Sequence, residues 1–458
     1  MSEVTTTLFA PSALLPTGWA ADVRLEVSAD GWLVGVQAGA DPGAARRLPG
    51  PALPGMPNLH SHAFQRAMAG HAESATADAD SFWTWRAAMY RLVDRLDPDT
   101  LQAVTAWLYA ECLEAGYTSV AEFHYVHHDR DGAPFADPAE LSGRVLEAAR
   151  AAGIGLTLLP VLYMKGGIDQ PPTAAQRRFV HPPDGILRLV EALLPRLGPG
   201  QRVGLAPHSL RAVPLARLPE LVAGLDGLAP GAPVHIHVAE QTAEVDAVVA
   251  AHGLRPVQAL ADRVGLDARW CLVHATHIDP SELRALRDSG AVAGLCPTTE
   301  ANLGDGLFPA EAHVAGRGRL GVGSDSQVSR DPFAELRLLE LGQRLVHQRR
   351  AVLRPPGERH TGAALWRLAC AGGAVALGQR VGALAVGCRA DLVCLDPAHP
   401  GLAATAGDPM LDAAVFAAGP GAVDEVWVGG RRVVARGRHV ERPRLQAAFV
   451  RAMATLHA

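Results

Sequence analysis

The sequence predicts an α/β protein: a parallel (β/α)8 barrel in the middle of the chain and a small β-sandwich domain built from both termini. Three observations lead there. Eight short apolar runs alternate with longer amphipathic stretches across roughly residues 51–375, the pattern of strand–helix repeats closing into a parallel barrel. Strand-like runs punctuated by glycine occupy both ends of the chain. The polar residues capable of chemistry fall at the C-terminal ends of the apolar runs, where a barrel's catalytic face is built.

Size and composition allow this architecture and exclude others. A chain of 458 residues holds a barrel of ~250–350 residues plus a smaller module. With 48% hydrophobic and 19% charged residues, it has the balance of a globular protein with a large core. A formal charge of −5 supplies no basic field for nucleic acid or an anionic membrane. Lys165 is the only lysine, so arginine makes up 41 of the 42 basic residues. Six cysteines, at 112, 271, 296, 370, 388 and 394, form no C-x-x-C pair, which argues for reduced thiols rather than a disulfide framework or a cysteine zinc site. The first residues lack the positive and apolar regions of a leader, and no run reaches the ~18 apolar residues of a membrane span. A soluble cytoplasmic protein is the expectation.

The elements follow in order. Residues 1–50 read as short strands, with a hairpin signal at Asp30-Gly31 in VRLEVSADGWLVGVQAG. The same texture returns over 376–458, in RVGALAVGCRADLVCLDP and VDEVWVGGRRVVARGRH, before a terminal helix. The two ends form one β-domain in this reading; independent hairpins packed on the barrel are the alternative. Between them, over 51–375, the candidate strands are 51–60, 118–125, 155–163, 202–209, 232–240, 270–277, 291–298 and 319–325. Helical patterns such as TLQAVTAWLYAECLEAG and DPSELRALRDSG separate them, the latter with an Asp or Ser N-cap signal.

The first strand ends in His60-Ser61-His62. Residues i and i+2 of an extended strand point to the same side, so both imidazoles can converge on one cation. The fifth run, HIHVAE, offers His237 as a third ligand and Glu240 three residues on, where a carboxylate can shuttle protons. His235 shares the face of His237 and is read as the deeper of the two. His274 closes the sixth run and Asp325 the eighth.

The ordered set, H-x-H on strand 1, H-x-x-E on strand 5, H on strand 6 and D on strand 8, resembles the amidohydrolase superfamily and its deaminase branch. The likeness extends to GALAVGCRADLVCLD at 382–396 and implies a (β/α)8 TIM-like barrel. Binuclear members usually bridge two metals through a carboxylated lysine at the end of strand 4. Here that strand ends Ala206-Pro207-His208, and Lys165 falls after strand 3. One divalent metal is therefore expected, on His60, His62, His237 and Asp325, with Zn2+ the best match to nitrogen and oxygen ligands. Such a cation lowers the pKa of a bound water toward ~7.

Four further features bear on the substrate. Gln65 and Arg66 follow the first histidines, Arg86 lies in the Trp-rich SFWTWRAAMY, His124-Tyr125 ends strand 2, and His208 with Arg211 ends strand 4. Trp83 and Trp85 read as packing for Arg86. Guanidinium forks bind carboxylates bidentately, so arginines on two loops facing one metal suit a small dicarboxylate. HSHAFQRAMAG, SFWTWRAAMY, QRRF at 176–179, APHSLRAV, HIHVAEQ and GSDSQVS together resemble the formimidoylglutamate deiminase (N-formimino-L-glutamate iminohydrolase) family. One departure is Ala175 before QRRF, where a glycine was expected; it bears on the shape of a loop that is expected to cover the site. The resemblance implies cleavage of a formimino C=N in histidine degradation, a homodimer, and substrate contacts from Gln65, Arg86, Tyr125, His208 and Arg211. It implies Glu240, His274 and Asp325 as the catalytic groups, with His274 or Asp325 taking the proton of the attacking water and Glu240 protonating the departing nitrogen. The rival reading is an aminohydrolase of the same superfamily acting on a purine, pterin, S-adenosylhomocysteine or cytosine-type ring.

Overall fold

The computed structural model describes residues 4–73, 82–326 and 328–458, with the backbone alone at 82 and 83. Eight parallel strands line the middle of the chain: Met56–Ser61, Tyr117–His124, Gly155–Leu162, Gln201–Val203 continued at Ala206–Pro207, Val234–Val238, Trp270–His274, Val292–Leu295 and Arg319–Val322. Strands one to four form one ladder and five to eight another. Parallel bridges Leu205↔Val234 and Ser209↔His237 join the fourth strand to the fifth, and Ser61↔Asp325 joins the eighth to the first. The ladder thus closes into a barrel. Each of the eight apolar runs overlaps one of its strands, and three of those strands, Met56–Ser61, Tyr117–His124 and Gln201–Val203, extend one residue beyond the run.

The first run divides. Ala52–Pro54 pairs antiparallel with Leu392–Leu395 in a different sheet, and only Met56–Ser61 enters the barrel. Gly55 makes the switch, because a Cβ there would fall into the Thr118 side chain. An apolar run has no feature marking where its partner strand changes.

The second sheet has nine strands from both ends of the chain. It is continuous, so the two ends are not separate hairpins. It also curls over itself: the turn glycines Gly31 and Gly429 approach so closely that a Cβ on Gly31 would lie 2.8 Å from the Gly429 carbonyl oxygen. Inside the curl Leu8, Val23, Leu25, Leu33, Leu392 and Trp427 form a core distinct from that of the barrel. Burial of this apolar area is what holds the two ends together.

Local chemistry sets the helices. Asp97 and Asp279 each build a capping box, fixing the starts of Pro98–Ala115 and Pro280–Asp288. The helix Thr361–Leu377 packs on the first and eighth strands, with Gly372 and Gly373 at the closest approach. The last helix, Arg442–Leu456, lies against Pro98–Ala115, where Trp107 and Phe449 stack at 5.7 Å. All six cysteines are unpaired. No helix among the described residues is long and apolar enough to cross a membrane.

Candidate active site

The mouth of the barrel brings residues that follow or end all eight strands into one pocket, whose wall includes His62, His208, His237, Glu240, His274 and Asp325. Backbone hydrogen bonds set the register there. Asp325 N–H donates to His60 O at 2.9 Å and His62 N–H to Asp325 O at 3.1 Å, tying the eighth strand end to the first. Asn58 strengthens the same seam through Ser324, donating to its hydroxyl at 2.7 Å and accepting its N–H at 3.0 Å.

Three imidazoles converge. His60 Nε2 lies 3.2 Å from His62 Nε2 and 3.0 Å from His237 Nε2. His62 Nδ1 contacts the Phe123 carbonyl at 2.9 Å and His237 Nδ1 the His208 carbonyl at 3.2 Å. A carbonyl only accepts, so both Nδ1 atoms carry the proton and both Nε2 atoms present bare lone pairs. A single N–H on His60 could satisfy one of them at most. Asp325 Oδ1 stands 3.6 Å from His60 Nε2 and 3.5 Å from His62 Nε2. Four ligands in a tetrahedron with bonds of ~2.0–2.1 Å would stand roughly 3.3–3.4 Å apart, and these separations bracket that value. Burial drives the pKa of His60 and His237 well below the ordinary imidazole value and that of His62 down to about 3, which keeps the lone pairs available. The donor set therefore fits a divalent cation. His235, the other histidine of the fifth strand, is buried deeper and turns to the Ala376 carbonyl at 2.8 Å, away from this cluster.

Beside the cluster stand three further ionisable groups, Glu240, His274 and Glu300. His274 Nε2 lies 3.6 Å from Asp325 Oδ2 and 3.9 Å from Glu240 Oε1. Burial alone would depress the His274 pKa, but the Glu300 hydrogen bond and the carboxylates of Glu240 and Asp325 outweigh it and raise it to about 10. Burial lifts Asp325 to about 7 against the pull of His274; a divalent charge at the imidazoles would draw it back toward carboxylate. Ala239, His274, Ala275 and Asp325 all adopt left-handed backbone, with φ between 48 and 68°. Such conformations cost free energy in non-glycine residues and cluster at functional sites.

The remaining wall contains all five expected substrate contacts: Gln65, Arg86, Tyr125, His208 and Arg211. Gln65 donates to the Tyr125 hydroxyl at 2.9 Å, while its own buried carbonyl oxygen has no protein partner. Arg86 lies over the Tyr90 ring at 5.7 Å. Arg211 reaches Glu240 at 3.5 Å and Glu244 at 3.9 Å, so it braces both carboxylates as well as facing the pocket. Arg66 leaves the site and pairs with Glu111 at 2.6 Å. Trp85 lines the pocket; the side chain of Trp83 lies outside the described residues. The loop over 163–183 covers one side, contributing Tyr163, Gly166 and Phe179. It is tied down by Gln176, which donates to the Tyr163 hydroxyl at 2.8 Å and the Tyr90 hydroxyl at 3.2 Å.

Sequence reasoning missed Glu244, Tyr163, Tyr90 and Glu300. Both carboxylates sit in the first turns of helices, at Thr242–His252 and Pro297–Leu303, where acidic residues are ordinary. The one available signal was that each follows a barrel strand closely.

The comparisons with known proteins agree with this architecture. Residues 52–433 match the amidohydrolase family, and residues 5–50 match the N-terminal domain of formimidoylglutamate deiminase HutF. A formimidoylglutamate deiminase from Pseudomonas aeruginosa is 54% identical over 98% of this chain and 99% of its own. A 5-methylthioadenosine/S-adenosylhomocysteine deaminase from Natronomonas pharaonis is 27% identical over 89% of this chain and 86% of its own. Among solved structures, an amidohydrolase from Brucella melitensis superposes with a TM-score of 0.92 at 44% identity, covering 99% of this chain and all of that one.

Proposed function

The chain belongs to the amidohydrolase family, and within it to the formimidoylglutamate deiminases, and from that premise we propose that it hydrolyses N-formimino-L-glutamate to N-formyl-L-glutamate and ammonia. It is a hydrolase acting on a C–N bond outside peptides. The observation that carries the substrate is one pocket lined both by the imidazole cluster and by Arg86 and Arg211, which suits a molecule bearing carboxylates at one end and a C=N at the other.

His60, His62, His237 and Asp325 would hold one divalent cation, for which Zn2+ is the best match to three imidazoles and a carboxylate. Bound there, it would supply Lewis acidity and a water acidic enough to ionise near neutral pH. The protein's own groups divide the rest of the work. Asp325 takes the proton of the attacking water at its carboxylate, and His274 Nε2–H faces the oxygen charge that develops. Glu240 carries a proton to the nitrogen that leaves as ammonia. The Gln65 carbonyl, lacking a protein partner, accepts an N–H from the substrate, and Arg86 with Arg211 orients its carboxylates. The loop over 163–183 shields the reacting carbon from bulk water. A homodimer in the cytoplasm with a role in histidine degradation completes the reading; the six unpaired cysteines support that compartment.

The test is ammonia release from N-formimino-L-glutamate by metal-loaded enzyme, repeated after chelation and beside purines, pterins and S-adenosylhomocysteine. Release that depends on metal and exceeds that from the ring compounds supports the reading. Faster release from a ring substrate, or none from N-formimino-L-glutamate, overturns it.

A further inference from the structure

We propose that Glu300 is a positioning residue for the reaction: its carboxylate takes the Nδ1–H of His274 and thereby aims His274 Nε2 at Asp325 and Glu240. The proposal rests on the reading of His274 as a group that acts on the substrate.

The geometry is specific. Glu300 Oε1 lies 3.2 Å from His274 Nδ1 and also accepts the Cys296 backbone N–H at 2.8 Å. That second bond anchors the carboxylate to the end of the seventh strand. Both side chains are buried, so bulk solvent does not reach the Nδ1 position. The His274 backbone is left-handed, with φ at 68°, which fixes where the side chain leaves the strand. Ring orientation then depends on what each nitrogen meets. With Nδ1 engaged by an acceptor, Nε2 is directed across the pocket to Asp325 Oδ2 at 3.6 Å and Glu240 Oε1 at 3.9 Å. A ring turned over would present a carbon to those carboxylates. Histidine side chains at reaction centres are commonly oriented by the partner of their other nitrogen, and removal of such a partner costs ~10–100-fold. Among the described residues no hydrogen bond or ion pair joins Glu300 to His60, His62 or His237.

The experiment compares Glu300→Ala and Glu300→Gln with the wild type, each zinc-loaded. Two readouts are taken: steady-state hydrolysis of N-formimino-L-glutamate, and the imidazole region of a 15N–1H spectrum, with His274 assigned through His274→Asn. Glu300→Ala should lose kcat by 10–100-fold with KM within threefold and zinc content unchanged, and should lose the slowly exchanging His274 Nδ1–H signal. Glu300→Gln keeps an acceptor oxygen and should recover kcat to within about fivefold of wild type, with the signal restored. A Glu300→Ala protein that retains that proton or keeps kcat within twofold overturns the proposal. So does one that loses zinc and kcat together, or a Glu300→Gln protein as slow as the alanine variant. If the wild type leaves N-formimino-L-glutamate untouched, the substrate reading fails while the proton signal still decides the role of Glu300.

Discussion

Glu240 and Arg211 join the two roles proposed for this pocket, proton transfer and substrate binding. Their side chains meet at 3.5 Å, so a change at either is felt by both. Glu240→Gln keeps the shape and removes the carboxylate; kcat should fall by ~10²–10⁴ with substrate affinity little changed, measured by ammonia release. An undiminished kcat would remove Glu240 from the mechanism. Arg86 lies over Tyr90. Arg86→Met should lower kcat/KM on the order of 10–100-fold, mostly through KM, as expected for the loss of a charged hydrogen bond worth ~1.5–3 kcal/mol. Arg211→Met should depress kcat as well, because it also frees Glu240 and Glu244 from their shared cation. A pure KM effect at Arg211 would contradict the bracing described for it. At this scale the sequence was informative where a residue ends a strand: His60, His62, His237, His274 and Asp325 could all be found from the apolar runs before them. Glu244 and Glu300 could not, because a carboxylate opening a helix looks the same whether it caps the backbone or reaches across to another strand end.

The elements were legible for a physical reason: a strand buried on both faces is a continuous apolar run, and eight such runs separated by amphipathic stretches have few ways to pack. What the pattern lacks is pairing. The run at 51–60 reads as one strand, yet Pro54-Gly55 divides it between two sheets. The closeness of the helix Thr361–Leu377 to the barrel was equally hidden, since it depends on glycines that pattern alone treats as breakers. A Cβ on Gly372 would fall onto the Leu320 carbonyl oxygen, within the eighth strand, and one on Gly373 would meet Pro57 at 2.9 Å. Gly372→Ala must therefore push helix and strand apart, at a cost of ~1–3 kcal/mol by analogy with other overpacked cores. The expected result is a lower thermal midpoint; an unchanged or raised midpoint would show that the seam is looser than described. The eighth strand leads to Asp325, so the same variant should weaken metal retention.

Across the whole molecule, burial of ionisable groups sets how stability responds to acid. His124 sits beneath the mouth of the barrel, packed against His127 at 5.7 Å, and burial pushes its pKa down to about 4. In the unfolded chain it titrates near 6.5. Protons thus bind the unfolded state first: the stability is fully present above about pH 6.5 and drains as pH falls toward 4, by about 3 kcal/mol for this group. Glu335, raised by burial to about 8, works in the opposite direction, its contribution fading as pH rises from about 4.5 to 8. His124→Gln should accordingly lose less thermal stability than the wild type between pH 7 and 4.5, and parallel losses in the two proteins would exclude His124 as a source. The joining of the two chain ends in one curled sheet is legible in their shared texture, which leaves separate hairpins open; the pairing of Ala52–Pro54 with Leu392–Leu395 and the bridge Trp32↔Arg389 exclude them.

The arrangement as a whole turns on bare imidazole lone pairs converging at the barrel mouth, a geometry that repels itself unless something positive lies between them. Elemental analysis of the purified protein, before and after dialysis against a chelator, tests this directly. The account predicts close to one equivalent of a divalent metal per chain, its loss on chelation with the loss of activity, and failure of His62→Ala and His237→Ala to retain it. Full activity in protein with no stoichiometric metal, or metal held undiminished by both variants, would contradict it.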